Sequence, residues 1–231
     1  MGLRGKGPNK ACVARFIQAL LCGWPMNHRV LAAALFAVLA APALSQAVPP
    51  AAPAPAAQED LVPVAIDTSL GRIVVALDRG HAPITTANFL HYVDTHRLDG
   101  EYFYRAMHSA TSNLVQGGIR SDARKLFPPI AHEPTSKTGL HNVAGTISMA
   151  AAGPGTARSD FFILVSDVPA FDAGDPQGDP DGFAAFGHVI EGMDVVKKIF
   201  DAPVSDTKGE GVMKGQMLDP PVKIVKVTRV K

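Results

Sequence analysis

Cysteine is almost absent from this chain, which has two cysteines in 231 residues. Both of them, Cys12 and Cys22, lie within the first 25 residues. Any form of the protein that begins after this segment has no thiol. Structural disulfides and cysteine-based nucleophilic or redox chemistry are therefore excluded for the rest of the chain.

An excess of positive charge is also missing, because the formal net charge is only +1. Five of the 22 basic residues fall in the first 47 positions, where there is no acidic residue. The remainder therefore carries 17 basic and 21 acidic residues, a net charge of −4. Nucleic-acid binding needs a basic surface that neutralises phosphates. We therefore expect no nucleic-acid partner.

The first 47 residues have the layout of a secretory signal peptide. A basic segment precedes an apolar run, Val30–Leu44, which ends in the small residues Ser45-Gln46-Ala47. The apolar run is shorter than the ~20 residues that a membrane-spanning helix needs. A start at Met26 would give a more compact signal peptide, and we interpret it as the alternative start. The expectation is export to the periplasm, with no stable membrane insertion after processing.

Composition changes twice after the signal peptide. Residues 48–60 are rich in proline and alanine, which is typical of an extended linker. From Leu61 onward, short segments rich in β-branched residues begin, and the first two flank a predicted turn at 68–71. Only two helices are predicted, one beginning near Pro83 and one after Gly192. Residues 61–231 are therefore predicted to form one mainly β domain, a barrel or a sandwich.

The stretch from Gly145 to Val165 is the centre of this domain. It reads as a strand, a loop of small residues (150–157) and an aromatic strand beginning at Phe161. With no bulky side chain in the loop, this unit would leave a shallow apolar cleft suited to an extended peptide. The alternative from this stretch alone is an ordinary β-hairpin with a glycine-rich loop.

Several motifs in a fixed order make residues 67–231 resemble the cyclophilin family of peptidyl-prolyl cis-trans isomerases. They are Phe103-Tyr-Arg105, Gln116-Gly-Gly118, Gly145-Thr-Ile-Ser-Met-Ala150, Ser159-Asp-Phe-Phe-Ile163 and Phe186-Gly-His-Val-Ile-Glu-Gly-Met193. The resemblance implies a closed eight-stranded antiparallel β-barrel capped by two α-helices. It also implies catalysis of Xaa–Pro bond rotation in folding polypeptides, by a monomer that needs no metal or cofactor.

The resemblance assigns Arg105 as the catalytic residue, and the chemistry agrees. Rotation about an Xaa–Pro bond breaks amide resonance, with a barrier of about 18–20 kcal/mol. The twisted prolyl nitrogen gains a lone pair, so a fixed donor beside it stabilises the twisted state selectively. A guanidinium is always charged and supplies such a donor. From composition alone, the alternative for Arg105 is a surface ion pair.

The resemblance also assigns a substrate-binding set. Gln116 and the backbone of Ala150 would hold the peptide, and Phe162 would form the floor of the proline pocket, unless it is an ordinary core residue. The remaining residues of the set, which would surround the proline, are Asn113, Leu114, Phe171 and Phe183.

Several positions depart from the family pattern. The link between Arg105 and Gln116 is longer than usual, and Asn113 stands where an aromatic wall is expected. Asp160 replaces a glutamine, and Ala170 falls where some members have tryptophan, which predicts weak cyclosporin binding. These changes motivate an alternative: a non-catalytic, proline-peptide-binding module or chaperone on the same fold.

A third alternative is a calcium-stabilised structural domain. The loop Asp172–Gly182 carries four aspartates, but it lacks a bidentate glutamate at the position that a calcium loop requires. The histidines are scattered, and His91 and His96 do not have same-face helical spacing. We therefore expect no metal site.

Overall fold

A computed structural model describes residues 60–230 of the chain. The predicted signal peptide at 1–47, its alternative start at Met26 and nearly all of the predicted linker at 48–60 lie outside the described residues. In the part of the chain that the structure describes, no helix is both long and apolar enough to cross a bilayer.

Nine β-strands make up most of the described chain. In chain order they are β1 Leu61–Thr68, β2 Gly71–Asp78, β3 Tyr102–Met107, β4 Leu114–Gly118, β5 Thr146–Met149, β6 Phe161–Leu164, β7 Ala185–Glu191, β8 Val204–Ser205 and β9 Met217–Arg229. The strands pair in the order β1-β2-β7-β5-β6-β4-β3-β9, and β9 pairs back with β1. Every pair is antiparallel, so eight strands close a barrel, and β8 adds two residues to the side of β9. The predicted barrel is confirmed.

The two predicted helices are α1, Pro83–Asp94, and α3, Met193–Phe200. A single helical turn, α2, Thr135–Thr138, was not predicted. Helix α1 packs Phe89 edge-on against Phe161, with ring centroids 5.3 Å apart, inside the barrel core. Helix α3 buries Val196 and Ile199 completely. Both helices therefore cover the barrel with one apolar face, as their sequence spacing predicts.

Alternation along the strands gives the barrel two apolar clusters. On β6, Phe161 and Ile163 point into the main core, and Phe162 and Leu164 point outward into a second, smaller cluster. On β4, Val115 joins the core. The β5–β6 pair is also an antiparallel hairpin, so the hairpin interpretation of this stretch is correct locally, inside the larger barrel.

The amino end of α1 is capped by a distant carboxylate. The oxygens of Glu133 accept hydrogen bonds from the backbone N–H groups of Ile84 (3.1 Å) and Thr85 (2.7 Å), and from the Thr85 hydroxyl (2.7 Å). A negative charge at a helix amino end satisfies free N–H groups and complements the helix dipole. Glu133 is only 3% exposed, so water does not replace these bonds.

Glu133→Gln is expected to lower the free energy of unfolding by about 1–2 kcal/mol, because an amide has one acceptor oxygen instead of two and no charge. Urea unfolding followed by circular dichroism measures the change. Glu210→Gln, at an exposed position, is the matched control and should leave stability within about 0.5 kcal/mol. Equal stability of the two variants would contradict the capping role.

Candidate active site

The outward-facing cluster forms a shallow apolar surface on one side of the barrel. Its buried members are Leu114, Phe162, Leu164 and Val168, and Met107, Ala150, Phe171 and Phe183 pack against them while partly exposed. Phe162 meets the rings of Phe171 and Phe183 edge-on, with centroids 5.7 and 5.3 Å apart. Phe162 is therefore the floor of an exposed aromatic surface and not part of the barrel core. We call these eight residues the outer cluster.

A β-bulge places Arg105 beside the outer cluster. Along β3 and β4, Phe103 pairs with Gly117 and Arg105 pairs with Gln116, so Tyr104 is an extra residue in the ladder. Because of the bulge, Phe103 and Ala106 both face the core although they are three residues apart. Arg105 is thereby turned to the outer side of the barrel.

Two glutamines hold the guanidinium of Arg105. Its Nη1 donates to Oε1 of Gln116 at 2.8 Å, and its Nε and Nη2 both donate to Oε1 of Gln216, at 2.8 and 2.6 Å. Nη2 also lies 3.2 Å from the sulfur of Met107. Gln116 is buried and Arg105 is half-buried. The side chain is therefore held by four contacts at the edge of the outer cluster.

The charge of Arg105 is not neutralised by a neighbouring acid. Within residues 60–230, no carboxylate forms an ion pair with it, which argues against the surface ion-pair interpretation. Burial lowers the pKa of Arg105 from its ordinary value. An arginine nevertheless stays protonated at neutral pH. The site thus presents a positive charge in a partly dry environment.

A cavity of about 420 Å³ lies next to the outer cluster, with which it shares Ala150, and Gln116 also lines it. Its other sides include Met213 and Asp160. The backbone N–H of Ala150 already donates to the carbonyl of Asp160 at 2.8 Å. Only the carbonyl of Ala150 is therefore available to pair with an added peptide.

The sequence-predicted site residues are brought together with one exception. Asn113, half-buried ahead of β4, accepts a hydrogen bond from the Ser109 backbone (3.2 Å) and donates to the Ser166 hydroxyl (3.4 Å). Its side chain is thus occupied in bracing the longer loop, and its role as a pocket wall stays a prediction. Met107, which was not among the predicted site residues, is instead a member of the outer cluster. The sequence signal for Met107 was its position two residues after Arg105, on the same face of the strand.

Asp160, which stands where the family pattern has glutamine, forms a half-buried hydrogen-bonded pair with Tyr104. The Tyr104 hydroxyl donates to Oδ2 of Asp160 at 2.8 Å, and the Ser159 hydroxyl donates to Oδ1 at 3.1 Å. The guanidinium carbon of Arg120 lies 4.7 Å from the centre of the Tyr104 ring. Burial raises the pKa of Asp160, and burial together with this carboxylate raises the pKa of Tyr104. Tyr104 therefore remains a hydrogen-bond donor.

The raised pKa of Asp160 predicts a specific pH dependence of stability. The folded state binds this proton more tightly than the unfolded chain, so the protonation of Asp160 stabilises the folded state. This stabilisation is complete below about pH 3.9, the ordinary pKa of aspartate. It is lost as the pH rises through the raised folded pKa. Relative to Asp160→Asn, the wild type should therefore become less stable as the pH rises from 4 to 7. Urea unfolding of both proteins at each pH measures the change. A pH-independent difference would contradict the assignment.

Three of the four aspartates in the 172–182 loop accept hydrogen bonds from backbone N–H groups. Asp172 accepts from the backbone of Asn142 (2.8 Å), Asp175 from the backbone of Gln177 (2.8 Å), and Asp179 from the backbone of Asp181 (3.0 Å). Throughout residues 60–230, no three side chains of histidine, cysteine, aspartate or glutamate are arranged to hold a metal ion. The loop geometry favours a turn-rich segment over a calcium loop.

Comparison with known proteins gives consistent matches over this domain. The family model described as cyclophilin type peptidyl-prolyl cis-trans isomerase/CLD matches residues 63–229. A peptidyl-prolyl cis-trans isomerase of Acinetobacter baylyi is 36% identical over 168 residues, which cover 71% of this chain and 83% of that protein. Peptidyl-prolyl cis-trans isomerase A of Dickeya dadantii is 39% identical over 140 residues, covering 59% of this chain and 70% of that protein.

Solved structures agree with the fold. A cyclophilin type peptidyl-prolyl cis-trans isomerase of Cryptosporidium parvum, 20% identical, superposes with a TM-score of 0.59 over 74% of this chain and 98% of that chain. A second structure of that protein, in the presence of the dipeptide Ala-Pro, has a TM-score of 0.58 over 73% of this chain and 99% of its own. At this level of identity, the likeness supports the barrel architecture.

Proposed function

This chain belongs to the cyclophilin-type peptidyl-prolyl cis-trans isomerase family, and we propose that Arg105 is the catalytic residue of its isomerase activity. The observation that carries this assignment is the position of the guanidinium. It is half-buried beside the outer cluster, and two neutral glutamines hold it in place. Such a group supplies a fixed positive charge next to an apolar surface that can receive a proline ring.

The reaction needs only conformational chemistry. When the Xaa–Pro bond twists, the prolyl nitrogen becomes pyramidal and its lone pair points away from the carbonyl. An N–H of Arg105 aimed at this lone pair stabilises the twisted state more than the planar ground state. If positioning and this hydrogen bond together lower a barrier of about 20 kcal/mol by about 5 kcal/mol, the rate rises by roughly four decades.

The substrate is proposed to be an extended peptide that lies across β4 and the end of β5. The Gln116 carbonyl oxygen accepts from Arg105, so its amide N–H₂ is left to donate to a peptide carbonyl. The Ala150 carbonyl would accept from a peptide N–H. The proline ring would pack on Phe162, with Leu114, Phe171 and Phe183 around it. The Cryptosporidium parvum structure with Ala-Pro supports a proline-containing ligand for this fold.

The test of this function is the isomerisation of a short Ala-Pro peptide with and without the purified chain. Exchange NMR gives the rate, and a titration of the same peptide gives its dissociation constant. Acceleration that depends on Arg105 is the expected result. Peptide binding without acceleration would instead support the non-catalytic binding module, which the altered Arg105–Gln116 link motivates.

We further propose that the protein acts on exported polypeptides in the periplasm. The basic segment, the apolar run and the small residues of positions 1–47 support this localisation, as does the net charge of −4 after them. The proposal is tested by expressing the full chain in a Gram-negative bacterium and fractionating the cells. A shortened protein in the periplasmic fraction is expected, with its new amino terminus near Val48. Full-length protein in the cytoplasmic fraction would contradict export.

A further inference from the structure

Gln216, far from Arg105 in sequence, makes the most contacts with its guanidinium. The two residues are 111 positions apart, yet one oxygen of Gln216 accepts from both Nε and Nη2 of Arg105. Gln216 immediately precedes β9 and is half-buried. Its role in the site is not indicated by any of the motifs that point to Arg105.

The backbone of Gln216 is hydrogen-bonded to β3 next to Arg105. Its carbonyl oxygen accepts from the N–H of Ala106 at 2.9 Å, and Ala106 directly follows Arg105 on β3. The next residue, Met217, pairs with Arg105 in the β3–β9 ladder. The Gln216 side chain therefore starts from a main-chain position tied to the same strand as the arginine, which limits the freedom of both side chains.

The donors of Arg105 can be counted from these contacts. A guanidinium has five N–H groups, of which one is on Nε and two are on each terminal nitrogen. Gln216 takes the Nε–H and one N–H of Nη2, the Met107 sulfur lies at the other side of Nη2, and Gln116 takes one N–H of Nη1. One N–H of Nη1 has no acceptor among these contacts and is available to the proposed peptide.

The acceptors are also neutral. A carboxylate in the place of Gln216 would hold the guanidinium equally well, but it would cancel much of the positive charge that the twisted prolyl nitrogen is proposed to use. An amide oxygen orients the same N–H groups without adding a negative charge. The two glutamines thus orient the Arg105 guanidinium and leave its positive charge in place. An ion pair would orient it too, but would weaken that charge.

We propose that Gln216 is a positioning residue for isomerisation: it orients the Arg105 guanidinium in the cleft while leaving its charge uncompensated. This inference rests on the proposed catalytic role of Arg105. Gln216 acts through Arg105 and is not proposed to contact the substrate. Its removal should therefore slow the reaction of the bound peptide without weakening peptide binding.

The experiment uses the full chain and an Ala-Pro peptide, and exchange NMR separates the cis-trans rate on the bound peptide from the dissociation constant. Gln216→Leu removes the acceptor, and Gln216→Glu keeps an acceptor but adds a negative charge. For both variants, the bound-state rate should fall about tenfold, the loss expected when a catalytic group is misplaced or its electrostatic effect is weakened. The dissociation constant should change less than about threefold, because binding does not use this contact.

The matched control is Gln177→Leu, the same substitution at an exposed loop position, which should leave both quantities unchanged. A wild-type rate in Gln216→Leu, or a rate loss that follows weaker peptide binding, would overturn the positioning role. A wild-type rate in Gln216→Glu would overturn the requirement for a neutral acceptor. Arg105→Ala in the same assay distinguishes this inference from the proposed function. If that variant is fully active, the catalytic assignment of Arg105 fails. If Arg105→Ala is inactive and Gln216→Leu is fully active, only the positioning role of Gln216 is refuted.

Discussion

Arg105→Ala is expected to lower the isomerisation rate of an Ala-Pro peptide at least tenfold and to leave peptide binding within about threefold. A hydrogen bond from a charged donor is worth about 1.5–3 kcal/mol, which corresponds to roughly 10- to 150-fold in rate when it forms only in the transition state. The affinity is preserved because the outer cluster, Gln116 and the Ala150 carbonyl remain. Exchange NMR measures both quantities on one sample.

Two further variants make this result interpretable. Arg105→Lys keeps the charge but cannot bond Gln116 and Gln216 in the same geometry, so it should recover little of the lost rate. Arg229→Ala removes an exposed arginine that is paired with Asp94, and is expected to be fully active. If Arg105→Ala retained the wild-type rate, catalysis would have to come from another donor. If it lost peptide binding in proportion to the rate, Arg105 would be a binding residue.

The strands and helices could be predicted because they depend on local patterns, whereas the apolar residues of the site were assigned from the family resemblance. Alternating residues give β6 one face in the core and one face outside, and the helices near Pro83 and after Gly192 have clear apolar stripes. The family motifs place Arg105 near Gln116, and the β3–β4 ladder confirms that the two residues are directly paired. Short-range periodicity and turn chemistry are sufficient for the strands and helices, whereas the site required the family motifs.

The bulge and the long-range polar contacts could not be predicted, because they depend on parts of the chain that are distant in sequence. The bulge at Tyr104 shifts the face on which Arg105 lies, and no residue type in the Phe-Tyr-Arg segment signals a bulge. Gln216 reaches Arg105 only because β9 lies beside β3 in the closed barrel. Glu133 caps α1 from 48 and 49 residues away for the same kind of reason.

The departures from the family pattern acquire physical explanations in the structure. The longer link after Arg105 places Asn113 in a loop of hydrogen-bonded polar residues, and Met107 contributes an apolar group next to the guanidinium. Asp160 accepts hydrogen bonds from Tyr104 and Ser159, and among the described residues it forms no ion pair with Arg105. The changed rim therefore retains an apolar floor, which suits peptide binding, and an unneutralised charge, which is the feature that favours catalysis over binding alone.

Phe162→Leu is expected to raise the dissociation constant of an Ala-Pro peptide about tenfold. Leucine keeps the site apolar, but it loses the edge-to-face contacts with Phe171 and Phe183 and the flat ring on which proline would pack, each worth about 0.5–1.5 kcal/mol. The rate on the bound peptide should change little, because Gln116 and Gln216 hold Arg105 and Phe162 does not contribute to these hydrogen bonds.

Ile163→Val is the matched control for Phe162→Leu, because it alters the next residue of β6 on the face toward the core. It should cost about 0.5–1.5 kcal/mol of stability with no effect on peptide affinity. Fluorescence-detected urea unfolding and a peptide titration separate the two effects. Equal affinity losses in both variants would mean that the loss comes from lower overall stability and not from a contact between Phe162 and the proline. An unchanged affinity in Phe162→Leu would show that proline binds elsewhere, because Phe162 is the aromatic residue of the outer cluster that lies on a barrel strand.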